Sequence, residues 1–246
     1  MRSEQLPGGS REGAFPTSEQ NKILIRRWLG EVLSRGDLAT AEELFTQNYA
    51  LHDPSFPYDV HGSAGIKWYV TAYRVAFPNL QVDIEDQLAE EDKVVTRWTV
   101  RGTHSGEFLG LTPTGDEVTV SGIEFDRIVR GRIDEGWVGY HPFAEQLPTA
   151  QHVGRGFVTV GEAFSDLRMA EADSVTEGNK LAFRWLLSGT HEGEFMGVAG
   201  TGRRVEAMGM DILRVADGQI VEHWGEFDAM GLLRQIGAIP RLGDTS

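Results

Sequence analysis

The chain contains a long internal repeat: an offset of 87 residues aligns positions 97–137 with positions 184–224 without a gap. A direct count finds 18 identical residues among these 41 aligned positions. The most similar stretches are GTHSGEFLGLTPTG at 102–115 and GTHEGEFMGVAGTG at 189–202. Identity at this level over an ungapped segment predicts an internal duplication, in which both copies adopt the same structure.

Helix signals open the first copy. Thr17 is followed three residues later by Gln20, which is a capping-box pattern that predicts the start of a helix. Apolar residues then recur with helical spacing, at Ile25, Trp28, Leu29, Val32 and Leu33. Asp37 predicts the start of a second, short helix that runs through Leu44 and Phe45.

A third helix is predicted to begin at Ser63 and to end before Pro78. Its apolar face consists of Ile66, Tyr69, Val70, Tyr73 and Phe77. In the second copy a helix of matching spacing is predicted from Val153, Phe157, Val160 and Phe164. No two-helix segment precedes it, so the second copy is predicted to lack about forty residues of helical roof.

Strand patterns follow the third helix in each copy. Alternating residues predict strands at 80–88, 94–103, 118–128 and 133–140 in the first copy, and at 181–190, 205–215 and 220–225 in the second. Helices followed by antiparallel strands are typical of an α+β fold, with helices packed on one face of a curved sheet. The predicted organisation is a flexible tail at 1–17, a full unit at 18–146 and a shortened unit at 147–246.

The composition excludes several classes of function. The 23 basic and 37 acidic residues give a formal net charge of −14, which argues against nucleic acid or an anionic membrane as a partner. The absence of cysteine excludes disulfide bonds, thiolate metal sites and a cysteine nucleophile. No apolar run reaches the length of a membrane span, and the N-terminus lacks a secretory signal pattern, so a cytoplasmic protein is expected.

The order of elements and several short phrases resemble the SnoaL-like polyketide cyclases of the nuclear-transport-factor-two-like superfamily. The matching phrases are RGDLATAEELF at 35–45, HDP at 52–54, RWTVRGTHSGEFLGLTPTG at 97–115, ADGQIVEHW at 216–224 and GLLRQIG at 231–237. The resemblance implies two cone-shaped α+β units and a pocket for a hydrophobic small molecule, with no metal and no organic cofactor. In that family an acid/base pair at the pocket floor promotes intramolecular aldol closure.

The resemblance places the family's catalytic pair at positions where this chain differs. The family histidine corresponds to Glu124 in the first copy and to Asp211 in the second. The family aspartate corresponds to Val138 and to Gly225. A carboxylate therefore occupies the histidine position in both copies, although neither copy has the complete pair.

The turn at 216–218 predicts a partner for Asp211. A three-residue loop that ends at Gly218 pairs Val215 with Gln219 and sets Asp211 opposite His223. A carboxylate beside an imidazole is a general-base arrangement, because the carboxylate orients the ring and raises its basicity. A two-residue turn would separate the two residues, and a structural ion pair is the alternative role for them.

The same register in the first copy, with 129–131 as the loop, sets Glu124 opposite Gly136. Glycine opposite a carboxyl leaves space for a substrate, and a buried glutamate has a raised pKa suited to proton transfer. A solvated glutamate at a strand edge is the alternative. Because the first copy has the complete roof, Glu124 is favoured over Asp211 as the residue that faces a closed pocket.

Further residues are candidates for binding a substrate. His52 and Asp53 correspond to the mouth of the family's pocket, with a turn at Asp-Pro as the alternative. Aromatic candidates for the pocket wall are Trp28, Tyr69, Tyr73 and Tyr140, with core packing as the alternative. His104 and His191 occupy equivalent places in the repeat, and their retention in both copies favours a scaffold role.

Together these features predict a cofactor-free enzyme of secondary-metabolite biosynthesis that cyclises or isomerises a polyketide-like substrate. A binding protein for a hydrophobic ligand and an epoxide hydrolase of the same superfamily are the alternatives. Because members of the family commonly dimerise through their sheets, the two copies are expected to form an intramolecular pseudo-dimer. A homodimer of the whole chain is compatible with this arrangement.

Overall fold

The computed structural model describes residues 17–56, 58–140 and 161–239. The predicted tail up to residue 16, the boundary between the two predicted units and most of the predicted helix at 153–164 lie outside these residues.

The first half folds into helices above a six-stranded sheet. The helices are α1 (Ser18–Arg27), a π-helical segment that continues it (Trp28–Ser34), α2 (Leu38–Leu44) and α3 (Gly62–Ala76). The strands are β1 (Phe45–His52), β2 (Val60–His61), β3 (Gln81–Glu90), β4 (Lys93–Thr103), β5 (Glu117–Val129) and β6 (Arg132–Tyr140). Their order in the sheet is β2-β1-β6-β5-β4-β3.

The predicted helix starts are confirmed. Thr17 and Gln20 exchange both bonds of a capping box, and Asp37 accepts bonds from the first turn of α2. The predicted apolar stripe is buried throughout. One boundary is wrong, because Phe45 leaves the helix with extended angles and begins β1, where its ring packs 5.1 Å from that of Trp28. No strand was predicted at 45–52, and the strand found there, β1, pairs with β6 in parallel.

The second half is a four-stranded sheet with one helix after it in the described residues 161–239. The strands are β7 (Phe164–Glu177), β8 (Lys180–His191), β9 (Arg204–Ala216) and β10 (Gln219–Phe227), followed by α4 (Ala229–Ile236). The three predicted strands are confirmed as β8, β9 and β10. The sequence analysis missed β7, the counterpart of β3, and placed Phe164 at a helix end although it begins that strand.

The second hairpin has a register that differs from the prediction. Asp217 and Gly218 form a two-residue turn in which both φ angles are positive, 52° and 74°, as in a type I′ turn. A bulge at Val221 then shifts the pairing, so Asp211 lies opposite Gly225 and the predicted opposition to His223 is wrong. The error amounts to two residues, and an even shift keeps Asp211 and His223 on the same face of the sheet.

The first hairpin repeats this geometry. Its turn is formed by the dipeptide at 130–131, and a bulge at Asp134 shifts the register. Glu124 therefore pairs with Val138, and Gly136 pairs with Asp126. The predicted opposition of Glu124 and Gly136 is wrong for the same reason as in the second half: neither the type I′ turn nor the bulge was included in the predicted register.

The two sheets pack against each other through their outer faces. Eight buried residues form the centre of this contact. They are four pairs related by the offset of 87 residues: Leu88 and Val175, Val95 and Ala182, Ile123 and Met210, Phe125 and Ile212. Each half therefore contributes the same four positions, which is the pattern of a self-complementary two-fold interface.

Ion pairs across the same contact are also reciprocal. Lys93 on β4 lies 2.6 Å from Asp173 on β7. The equivalent residues with the halves exchanged are Lys180 and Asp86, which lie 2.5 Å apart. The same lysine and aspartate positions in each half thus form ion pairs with the opposite half.

Cation–π contacts follow the same rule and use residues that are identical in the two copies. The guanidinium of Arg97 lies 4.8 Å from the ring centroid of Trp224, and that of Arg184 lies 4.0 Å from that of Trp137. The tryptophans that end the repeat, Trp137 and Trp224, therefore have a structural role in the contact between the sheets.

The repeated GTH–GEF segment forms a loop that folds back on the end of the preceding helix. Gly106 donates its backbone N–H to the carbonyl of Ala76 (3.0 Å), and Gly193 donates in the same way to Ala163 (2.9 Å). A Cβ on Gly106 would lie 2.1 Å from the carbonyl oxygen of Val75, so only glycine permits this close approach. The repeated phrase thus has a structural role in both halves.

Candidate active site

The first half encloses a cavity of about 920 Å³ between its helices and the inner face of its sheet. Most of the wall is aromatic or aliphatic, and includes Trp28, Leu29, Leu51, Tyr69, Tyr73, Phe77, Trp98, Val120, Val138 and Tyr140. Polar groups are few, and Glu124 is the acidic residue among those that line it. An apolar cavity with a few placed polar groups is typical of a site for a small hydrophobic molecule.

The helix of the second half closes part of this cavity. Met230 and Arg234 on α4, together with Ile239 beyond it, belong to the cavity wall. The guanidinium of Arg234 donates a hydrogen bond to the backbone carbonyl of Pro54 in the first half (3.0 Å). Sequence reasoning missed these residues because their contact with the cavity depends on how the two halves pack.

Glu124 is positioned by β5 and by the π-helical segment. Alternation along β5 directs Ile123 and Phe125 to the other sheet, so Glu124 projects to the cavity side. It is only 3% exposed, and its Oε1 accepts a hydrogen bond from the indole N–H of Trp28 (3.0 Å). Burial raises the pKa of Glu124 to about 7, although the hydrogen bond from Trp28 acts in the opposite direction. Such a carboxyl can accept and return a proton near neutral pH.

Three tyrosines converge on Asp53, which is 5% exposed. Its Oδ2 accepts a hydrogen bond from Tyr69 (2.8 Å), and its Oδ1 accepts one from Tyr140 (3.1 Å). Tyr73 lies 3.1 Å from the hydroxyl of Tyr140 and 3.4 Å from Asp53. Burial raises the pKa of Asp53, while hydrogen bonds from Ser55 and the tyrosines lower it. The three predicted tyrosines therefore form one polar cluster on the cavity wall.

Asp126 was missed by the sequence analysis. It is 2% exposed, lies two residues after Glu124 on β5, and projects to the same face of the sheet. The spacing of the two acids in Glu124-Phe125-Asp126 was the signal that could have found it. Within the described residues, neither carboxylate oxygen of Asp126 has a donor.

His52 lies away from the cavity. Its Nδ1 is 2.9 Å from Asp59 and its Nε2 is 3.1 Å from Glu135. The imidazole also stacks on the ring of Trp137, with 5.2 Å between the ring centroids. His52 is therefore anchored on the outer face of the sheet, and the structure does not bring it together with Asp53 and the tyrosines.

Asp211 and His223 do meet, although in a different register from the predicted one. The Oδ1 of Asp211 lies 2.5 Å from the Nε2 of His223, and its Oδ2 accepts a hydrogen bond from the indole N–H of Trp185. Asp211 is 4% exposed, and His223 reaches it diagonally from the position two residues before Gly225. The pair faces the inner side of the second sheet and does not line the described cavity.

Within 17–56, 58–140 and 161–239, no group of three or more histidine or acidic residues is arranged to hold a metal ion. In the same residues no helix has the length and hydropathy needed to cross a membrane.

The fold and the site together define a class of protein: a cone-shaped α+β fold with an acidic group in an apolar cavity. In this chain the fold occurs twice, as one full unit and one shortened unit. The chain belongs to the SnoaL-like polyketide cyclase family, whose sequence profile matches it twice, over residues 23–147 and over residues 138–236. The two matches agree with the internal duplication.

Solved structures of similar proteins each correspond to about half of the chain. A protein from Jannaschia sp. CCS1, assigned as a SnoaL-like polyketide cyclase, is 24% identical, and the match covers 56% of this chain and 94% of that one (TM-score 0.48). AclR from Streptomyces galilaeus, assigned as a hydroxylase, is 29% identical over 54% of this chain and 100% of its own (TM-score 0.46). IdmH from Streptomyces antibioticus, assigned as a polyketide cyclase, is 29% identical over 49% and 91% (TM-score 0.43). No significant match was found among curated proteins.

Proposed function

We propose that the cavity of the first half catalyses the acid/base-promoted cyclisation or isomerisation of a polyketide-like molecule, without a cofactor. The observation that carries this proposal is Glu124, a buried carboxyl on the wall of an apolar cavity, whose pKa is raised to about 7. A carboxyl with this pKa is partly ionised near neutral pH. Its ionised form can remove a proton next to a carbonyl group, and its protonated form can return it.

In the proposed reaction, the Glu124 carboxylate removes a proton from the carbon next to a substrate carbonyl. The indole N–H of Trp28 holds the carboxylate in place through the 3.0 Å bond. The hydroxyls of Tyr73 and Tyr140 lie on the wall and provide polar contacts for substrate oxygens, with Asp53 as their anchor. The resulting carbanion attacks a second carbonyl or is protonated again at another carbon, and Glu124 returns the proton.

We further propose that the second half is the structural partner of the first, as in a dimer joined within one chain. The reciprocal contacts between the sheets support this role. In the described residues of this half, no counterparts of α1 and α2 cover the inner face. Asp211 and His223 then act as a hydrogen-bonded pair that maintains this sheet.

Proton exchange tests the proposal without knowledge of the natural substrate. The probe is 2-tetralone, a bicyclic ketone, and the loss of its α-proton signal in D₂O is followed by proton NMR. We expect the protein to accelerate the exchange, and Glu124→Gln to lower this rate by about 100-fold or more. Asp211→Asn, the equivalent change in the second half, is the matched control and should leave the rate unchanged.

Binding is measured in parallel by the quenching of tryptophan fluorescence, since Trp28 and Trp98 line the cavity. If 2-tetralone binds but the wild-type protein does not accelerate exchange, the catalytic proposal is rejected and a ligand-binding function replaces it. If Asp211→Asn abolishes exchange while Glu124→Gln does not, the working site lies in the second half.

A further inference from the structure

Glu124 and Asp126 are two buried acids on one face of β5. They lie opposite Val138 and Gly136 respectively, and they are 3% and 2% exposed. Glu124 has the indole N–H of Trp28 as a donor. Asp126 has no donor in the part of the chain that the structure describes, and the nearby hydroxyl of Tyr49 has no partner there either.

Two ionised carboxylates can only accept hydrogen bonds, so they cannot bond to each other. An ionised Asp126 would therefore be a buried charge without a donor, which is a costly arrangement. One shared proton removes the difficulty, because a protonated carboxyl donates to its ionised neighbour. The surroundings therefore favour a pair that carries one proton, with that proton on the acid that lacks any other donor.

The opposite strand makes room for this pair. A Cβ at Gly136 would lie 2.7 Å from the hydroxyl of Tyr49 and 3.2 Å from Oδ1 of Asp126. In the second half the equivalent of Gly136 is His223, and the equivalent of Asp126 is Leu213. Glu124 thus has Asp126 beside it on its own strand, whereas Asp211 has His223 beside it on the adjacent strand.

We propose that Asp126 is a positioning residue that keeps its proton and donates it as a hydrogen bond to the Glu124 carboxylate. This inference rests on the proposed function of Glu124 as the base. During proton abstraction, the substrate proton moves to Glu124, and the electron pair of the C–H bond passes into the substrate's carbonyl system. Asp126 stays protonated throughout, so the pair alternates between one and two protons.

Two further titratable groups stand close to the pair. Tyr49 on β1 faces Asp126, and burial and the charge of Asp126 raise the pKa of the Tyr49 hydroxyl. Asp53, just after β1, raises the pKa of Glu124 further. Burial first, and then the charge of Glu124, raise the pKa of Asp126 well above its usual range. The neutral groups that face the pair include Trp28 from the π-helical segment and Thr96 and Trp98 from β4.

The test compares two substitutions at Asp126. Asp126→Asn keeps a neutral donor, whereas Asp126→Leu installs the residue of the second half and removes the donor. We expect the pH at which exchange reaches half its maximal rate to stay within about 0.5 unit in Asp126→Asn, and to rise by about one unit in Asp126→Leu. The reason is that loss of a donor to the ionised form raises the pKa of Glu124.

An ionised Asp126 predicts the opposite sign. Removal of its negative charge would lower the pKa of Glu124 in both variants, and that result overturns the proposal. Equal loss of rate in both variants with an unchanged pH profile also overturns it, since a purely structural role then suffices.

Infrared spectroscopy of the protein without any ligand separates this proposal from the proposed function. In the wild type, the carbonyl stretching band of a protonated carboxyl should persist above the pKa of Glu124, and Asp126→Asn should remove it. Subtraction of the two spectra removes the bands of Asp53 and Glu226, whose pKa values are also raised and which both proteins contain. If the band is absent while Glu124→Gln abolishes exchange, the pairing is wrong and the function stands. If the band is present without any exchange, the proposed function fails instead.

Discussion

The two halves of this protein place a carboxylate at the same position of the same hairpin and surround it differently. In the first half Glu124 accepts the indole N–H of Trp28, which comes from the helical roof. In the second half Asp211 accepts the indole N–H of Trp185, which comes from the neighbouring strand of its own sheet. Trp98, the first-half equivalent of Trp185, instead lines the cavity, and in the described residues its indole N–H has no partner.

The helical roof, rather than the backbone of the hairpin, separates the two environments. The hairpins share a type I′ turn, a bulge at the same relative position and the same pairing of sequence positions, with Val138 opposite Glu124 and Gly225 opposite Asp211. The added helices enclose a cavity of about 920 Å³ above one sheet. Where they are absent from the described residues, a histidine on the adjacent strand reaches the carboxylate.

A charge placed in the contact between the sheets should destabilise the protein most, and it tests whether the two halves are equivalent there. Val95 and Ala182 are related by the offset of 87 residues, and both are fully buried between the sheets. Val95→Asp and Ala182→Asp should each lower the free energy of unfolding by roughly 3 to 5 kcal/mol, because each buries a charge without a partner. Urea denaturation measures both. A loss at one position only would mean that the contact is not reciprocal.

A pH titration of stability should distinguish the two carboxylates. The pKa of Glu124 is about 7 in the folded state against 4.5 for the free group, so the folded state binds the proton more tightly. Its contribution to stability is complete below pH 4.5 and is lost as the pH rises to about 7, by roughly 3 kcal/mol. Glu124→Gln should remove this part of the slope from urea denaturation curves recorded across that range, while the part due to Asp126, Asp53 and Glu226 remains. Asp211→Asn should retain the whole slope. An identical slope in wild type and Glu124→Gln contradicts the assignment.

A change in the second half should affect stability without affecting exchange. Asp211→Ala deprives Trp185 and His223 of a buried acceptor, so we expect the free energy of unfolding to fall by about 1 to 3 kcal/mol. The exchange of 2-tetralone protons should stay within about twofold of the wild-type rate, since Asp211 does not line the cavity. A large loss of rate in a folded variant would give the second half a direct part in the chemistry.

The smallest expected effect concerns the two cation–π contacts. Arg97→Gln and Arg184→Gln should each lower the free energy of unfolding by about 0.5 to 1 kcal/mol, with the larger loss for Arg184, whose guanidinium lies closer to its ring. Arg184→Lys is a control that retains the charge. If the guanidinium contributes through stacking as well as charge, this variant will recover only part of the loss.

Local signals in the sequence determined a large part of the fold. The duplication follows from identity at one offset, and the capping residues Thr17 and Asp37 act within a single helical turn. Most strands follow from alternation over consecutive residues. These features depend on neighbours in the chain, so the sequence alone predicts them. The position of Glu124 came from the family resemblance, and its burial agrees with that placement.

Contacts between distant residues decided the rest. The parallel pairing of β1 with β6, the bulges that reset both hairpins and the outward position of His52 all depend on which strands meet in the sheet. Asp126 becomes significant only when Tyr49 and Gly136 are seen beside it. Local patterns in the sequence therefore determine the repeated units and their acidic position. Which acid faces an enclosed cavity depends on the tertiary structure, because in the described residues helices such as α1 and α2 cover the first sheet alone.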